Sequence, residues 1–246
     1  MVQLQKLYRL QQKLHLWRKS KKVMVYIKKQ REPKELTLFK KTQNCSFSDF
    51  SGNEKIAVYK SLIKEQYGLC AYCMCRIFFD NEIHRNIQIE HFIPQSDNDL
   101  GSIKSLDYKN MLGVCDGGIS FKRINKDSGN ENLSCDVYKG NKLLSLNPSI
   151  KDDFEKMKIY YSSNGRIHSK NEQFNIELDS VLNLNTPRLI NERKIVKQKV
   201  IQYLNTHNKL SAAKKLELIA KLKTPVDELL TPFYDVAVYF IERIAN

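Results

Sequence analysis

Long hydrophobic runs are missing from this chain. No stretch approaches the roughly 18 apolar residues that a membrane-spanning helix needs. The N-terminus also lacks the short apolar block of a secretory signal, which predicts a cytoplasmic protein with no membrane partner. Internal repeats and low-complexity tracts are absent. Acidic side chains do not occur in residues 1–22 and are scarce up to residue 41. That segment carries 13 Lys and Arg against Glu32 and Glu35, or 13 − 2 = +11 of the formal charge of +14. The other 205 residues hold about +3 (14 − 11), so the basicity sits at one end.

What is present reads as an ordinary globular chain. With 246 residues, 41% hydrophobic and 28% charged, it has the length for one large domain or two small ones. The excess positive charge points to a polyanionic partner, nucleic acid first among them. Leu7, Leu10, Leu14 and Trp17 share one face if residues 1–22 are helical. Three readings of residues 1–23 stay open: a basic arm, a partner-docking helix, and an upstream extension before a second start at Met24. A transit peptide fits less well, since the segment is rich in Leu and Gln and has a single Ser.

Local signals divide the chain in three. Residues 1–50 form a basic extension and an irregular lead-in, 51–150 a loop-rich core, and 151–246 a β-hairpin followed by helices. The spacing of Ile56, Val58, Leu62 and Ile63 predicts a helix over 54–67, ended by Gly68. Residues 156–161 and 166–168 read as a hairpin with Asn164-Gly165 at its turn. Thr186-Pro187 opens a helix running to about Leu204. Ser211 caps a second ending near Lys223, and Thr231-Pro232 opens a third through Ile244. The fold class expected is α+β.

Six cysteines in a chain with no secretion signal read as metal ligands rather than disulfides. Cys70-Ala71-Tyr72-Cys73 has the C-x2-C spacing that lets two thiolates grip one Zn²⁺ from a tight turn. Tetrahedral closure needs two more ligands, and Cys115 and Cys135 flank a polar loop that could leave and return. Cys75 is the competing ligand at the less usual C-x-C spacing, and Cys45 is isolated and reads as structural.

Between the cysteine pairs lies Ile87-Gln88-Ile89-Glu90-His91-Phe92-Ile93-Pro94, an acid and a His in an apolar run closed by Pro. Asn110 follows, and then Asp136 beside Cys135. This order resembles the HNH, or ββα-metal, nuclease pattern. More narrowly, Glu65–Cys73, Glu90–Pro94, Cys135-Asp136 with Lys139-Gly140, Asn147-Pro148, and the tail through Gly165-Arg166, Leu182–Asn185, Arg188 and Arg193 are similar to PtuB-like HNH proteins. Those are nuclease subunits of Septu-type and retron-linked antiphage defence systems. The likeness runs from about Val25 into the C-terminal helices and implies a PtuA-type ATPase partner, with a retron reverse transcriptase and its msDNA as further partners.

Phosphodiester hydrolysis asks for these residue types on its own account. His91 is the candidate base, since imidazole titrates near neutrality. Glu90 and Asp136 offer hard oxygens to a catalytic Mg²⁺-like ion. Asn110 would orient His91 or pin its loop, and Lys139 is either a phosphate contact or a solvated lysine. His15, His84, His168 and His207 have no such setting and read as structural. The sequence departs from the commonest HNH form in having Glu90 for Asp, Asp136 for His or Asn, and a long insertion between Cys115 and Cys135. DNA is the leading substrate, with structured RNA such as tRNA open. Two rivals are a non-catalytic zinc-stapled binding module and a Cys-nucleophile enzyme, the latter lacking a recognisable setting at Cys45 or Cys75.

Overall fold

The lead-in is more ordered than its composition suggests. In the computed structural model, which describes residues 24–43, 45–125, 130–207 and 210–243, α1 (Lys34–Phe39) starts directly after Pro33. Met24, Ile27 and Leu36 are buried, and the Ile27 N–H donates to the Pro148 carbonyl at 3.1 Å, so this segment is built into the core. The face proposed for Leu7, Leu10, Leu14 and Trp17, and the helix end at Ile244, lie outside the described residues.

Helix α2 (Gly52–Glu65) is opened by Ser51, whose backbone N–H is taken by the Glu54 carboxylate at 3.2 Å. Its buried face is Val58, Tyr59, Leu62 and Glu65. It ends slightly earlier than the spacing predicts. Tyr67 takes the left-handed conformation (φ 54°), and the Gly68 N–H reaches back to the Ile63 carbonyl at 2.8 Å. Gly68 itself is at φ 70°, where a side chain is strained, and a Cβ there would also displace Arg76 and Leu229.

Two small antiparallel sheets follow. Strand β1 (Gln88–His91) pairs with β2 (Met111–Val114), placing Gln88 opposite Val114 and His91 opposite Met111. The short α3 (Gly101–Lys104) lies between them, and α4 (Ile119–Ile124) and α5 (Cys135–Lys139) come after. The second sheet joins β3 (Ile159–Tyr161) to β4 (Ile167–Ser169). Here the sequence reading needs correction: Lys156 and Met157 do not enter the hairpin but finish a helix, α6 (Lys151–Met157), which Lys158 breaks at φ 41°. The turn itself is where Asn164-Gly165 puts it, with Gly165 at φ 85°.

Two-stranded sheets are marginal alone. Side-chain amides stand in for the missing neighbours. Gln66 accepts the Gly113 N–H and donates to the Gly113 carbonyl, both at 2.7 Å. Asn110 grips Ile93 the same way at 2.8 and 3.0 Å, and Asn185 grips Ile167 at 2.8 and 3.0 Å. Each amide satisfies one residue's donor and acceptor, as an adjacent strand would.

Helices α7 (Glu172–Ser180), α8 (Pro187–Thr206), α9 (Ala212–Leu222) and α10 (Tyr234–Arg243) complete the fold. Thr186 caps α8 through the Leu189 N–H at 3.2 Å, and Ser211 caps α9 through that of Lys214 at 3.4 Å. Helix α10 starts at Tyr234, later than Thr231-Pro232 predicts. The reason is that Phe233 sits at φ 54° and spends its N–H on the Met74 carbonyl, 3.1 Å away in the cysteine turn. Helix α10 is buried along nearly its whole length and packs on α8, α9 and β3. The result is a mixed α+β fold. No helix among the described residues is long and apolar enough to cross a membrane.

Candidate metal centre and adjoining polar site

The cysteine turn folds tightly back on itself. The Met74 N–H donates to the Cys70 carbonyl at 3.2 Å, the Cys70 N–H to the Cys75 carbonyl at 2.8 Å, and Met74 itself is left-handed at φ 65°. This gathers Cys70, Cys73 and Cys75 around Cys115 at the end of β2, with one ligand atom from each within 4.8 Å of all the others, close enough to hold a metal ion. Cys135, at the start of α5, joins from the far side. Its sulfur lies 3.9 Å from that of Cys70 and 3.8 Å from that of Cys115, while Cys73 and Cys115 are 3.7 Å apart. The intervening loop does leave and return: the Ser134 N–H closes on the Gly117 carbonyl at 2.9 Å.

A tetrahedral Zn–S distance of about 2.3 Å requires sulfurs about 3.8 Å apart. The Cys70–Cys135, Cys115–Cys135 and Cys73–Cys115 contacts fit that edge, whereas Cys73 and Cys75 are only 3.2 Å apart. The donor set is all thiol, the soft ligand that zinc takes. Hydrogen bonds from Cys115 and Cys135 hold the Cys73 thiol down at about 5, while the same buried network pushes the Cys115 and Cys135 thiols up. Beside the cluster, Arg188 donates to the Ser134 hydroxyl at 3.1 Å. Burial disfavours its charge, but the Cys73, Cys115 and Cys135 sulfurs more than offset this and keep the guanidinium protonated. Four thiolates around one Zn²⁺ leave a net negative charge that such a neighbour balances.

The polar residues of the Glu90-His91 pair sit where β1 ends. His91 is mostly buried, and its Nε2 is 2.7 Å from the Ser105 carbonyl. A carbonyl only accepts, so the proton resides on Nε2 and Nδ1 carries the basic lone pair. That lone pair accepts from the Gln95 amide at 3.0 Å, and the Phe47 ring packs edge-on at 4.5 Å. Burial lowers the imidazole pKa below its ordinary value, while the Ser105 bond and nearby Asp136 pull it back up. Asn110 does not touch the ring. It pins Ile93 and donates to the Lys104 carbonyl at 3.2 Å, fixing the loop that presents the Ser105 oxygen. Of the two roles open for Asn110, the structure shows the loop-pinning one.

Glu90 is almost fully buried. Its Oε1 accepts from the Tyr72 hydroxyl at 2.9 Å and pairs with the Lys139 ammonium at 2.8 Å. Burial pushes the carboxyl well up, Asp136 adds to this, and Lys139 opposes both. Asp136 thus stands close to Glu90 and His91 but is itself partly exposed. Lys139 is corrected here. It is neither solvated nor free for phosphate, being 1% exposed and committed to Glu90. The structure therefore brings Glu90, His91 and Asp136 together, sets Asn110 behind them in the loop, draws Lys139 and Cys75 into the two centres, and adds Tyr72, Gln95 and Ser105. His84, His168 and His207 do lie elsewhere, against Asp80, Tyr160 and Tyr203.

No protein-family model matches the chain, and no curated protein matches it.

Proposed function

We propose that the chain is a metal-dependent endonuclease of the HNH, ββα-metal type that hydrolyses phosphodiester bonds of nucleic acid. The observation carrying this reading is His91: a buried imidazole at the end of β1, its Nε2 proton fixed by a backbone carbonyl, its basic Nδ1 accepting from the Gln95 amide, and the Asp136 charge acting on the ring. In that tautomer Nδ1 takes a proton from water once the Gln95 amide swings aside. In this reading β1, β2 and α5 would serve as the three elements of a ββα core. Cys70, Cys73, Cys115 and Cys135 would hold a structural zinc that ties β2 and α5 to the cysteine turn.

A hard divalent cation, held by Asp136 with Glu90, would neutralise charge building on the phosphate and leaving oxygen. Asp136 offers the open carboxylate. Glu90 shares its charge with Lys139 and serves first to hold α5 against β1. DNA is the preferred substrate in this reading, and structured RNA such as tRNA the second. With the basic charge concentrated in residues 1–41, grip on the polyanion comes from outside the site. The resemblance to PtuB-like proteins supports a cytoplasmic effector working with a PtuA-type ATPase, and in a retron-linked setting with a reverse transcriptase and its msDNA.

The competing reading is a zinc-stapled binding module without turnover. The capped Nδ1 and the engaged Glu90 favour it, because an inert scaffold would also keep its polar groups paired. Offering duplex DNA, single-stranded DNA and structured RNA, with and without Mg²⁺, to wild type and His91→Ala co-purified with the ATPase separates the two. Cleavage by wild type alone, in Mg²⁺ alone, is expected. Equal cleavage by both proteins removes His91 as the base, and cleavage by neither supports the binding module.

A further inference from the structure

Five sulfurs crowd a centre that takes four. Cys70, Cys73, Cys75 and Cys115 form one mutually close set, and Cys135 reaches the same centre through Cys70 and Cys115. Exchanging Cys135 for Cys75 would leave three ligands in place. The two candidates differ in what they belong to. Cys75 is part of the cysteine turn, its carbonyl bonded to the Cys70 N–H at 2.8 Å, so its sulfur travels with two of the other ligands. Cys135 arrives from across the insertion on α5, the helix that also carries Asp136 and Lys139. Cys135 is moreover held at φ 57°, a conformation that residues with side chains rarely adopt. Strain on that arm makes it the one that leaves first.

We propose that Cys75 is a reserve ligand: the centre keeps its metal by exchanging Cys135 for Cys75, and α5 is thereby released from it. The inference rests on the zinc reading of the cluster. At 3.2 Å from Cys73, Cys75 lies within the close set but nearer than a tetrahedral edge allows, and binds by backing away about half an ångström. One metal–sulfur bond forms and one breaks. Cys75 gives up its thiol proton and the departing Cys135 thiolate takes one up, so charge is conserved and no oxidant is involved. The consequence is a centre that holds the fold in two states, one with the Asp136-bearing helix tied to the metal and one with it held through the Lys139–Glu90 pair instead.

Cobalt loaded into the full chain reports the number of thiolates through the sulfur-to-metal absorption band. Wild type, C75S, C135S and C75S/C135S are compared for band intensity, metal per chain and circular dichroism. C75S and C135S should both keep the wild-type band, and the double variant should lose about a quarter of it, as three thiolates and a water give. A band already a quarter lower, or absent, in a C135S with the wild-type circular dichroism overturns the proposal, as does a full band in the double variant. Should C135S not fold, C75S alone decides: a chelator should strip its metal at least about tenfold faster than from wild type. An unchanged rate would overturn the reserve role, whereas a wild type that takes up neither Co²⁺ nor Zn²⁺ would instead overturn the zinc reading.

Discussion

The cysteine-bearing region, 52–140, and the C-terminal region, 151–243, are held together by different means. The first has short strands, 3-10 turns and small helices, with a ring of thiols and a buried ion pair at its centre. The second has α8 and α10 packed together and burying Leu189, Val200, Val236 and Ile241, with α8 and α9 capped by Thr186 and Ser211. Short elements bury too little apolar area to stand alone, so the first region depends on point attachments. The second buries whole helix faces and does not. A functional site placed on point attachments can be rearranged by changing one of them, and one on packed helices cannot.

Removing the metal should break the comparison open most widely. Cys70→Ser, or a strong chelator, is expected to strip hydrogen-exchange protection from β1, β2 and α5 and to leave α8 and α10 protected, at a cost of at least about 5 kcal/mol in the first region. Loss of protection everywhere at once would show that the two regions are one cooperative unit. Lys139→Met comes next. It strands the Glu90 carboxylate without its cation, which costs about 3–5 kcal/mol, and adding Glu90→Gln should recover most of that in denaturant titrations. No recovery in the double variant would mean that the pair is not the source of the loss.

Leu189→Ala probes the other side. Deleting a fully buried leucine should cost about 3 kcal/mol in urea unfolding while metal content stays at the wild-type value. Metal loss in this variant would tie the helices to the thiol centre. The smallest effect is one of pH. Asp235 is buried, accepts a hydrogen bond from the Tyr161 hydroxyl, and is pushed up to about 6, chiefly by desolvation and against the pull of Tyr161 and Arg193. With the folded pKa above the unfolded one, its contribution is fully present below about pH 4 and is lost as pH rises through 6. Relative to wild type, Asp235→Asn should therefore gain stability between pH 4 and 7, by up to about 3 kcal/mol. A flat difference across that range would contradict the raised pKa.

Much of this was legible in the residues. Thr186-Pro187 and Ser211 announce their helices because capping is local chemistry, and the cysteine spacing announces the metal turn for the same reason. Glu90 and His91 fall at a strand end because an alternating apolar run stops at Pro94. What escaped depends on partners far away in the chain. Lys139 looks like any lysine after a turn until Glu90 is brought against it. Cys75 has an unpromising spacing, and only the left-handed Met74 folds it into the cluster. The Ser105 carbonyl has no signature at all, since every residue has one. Helix α10 begins late because Met74, from the cysteine turn, claims the N–H of Phe233.

The central claim is that the thiols hold the fold while His91, through Nδ1, performs the chemistry. Single-turnover cleavage by His91→Gly, with and without added imidazole and with zinc measured in the same sample, tests it most directly. The account predicts unchanged zinc, a rate at least about 100-fold below wild type, and partial rescue by imidazole entering the space beside Phe47 and Ser105. Wild-type cleavage by the zinc-loaded glycine variant without imidazole would contradict it.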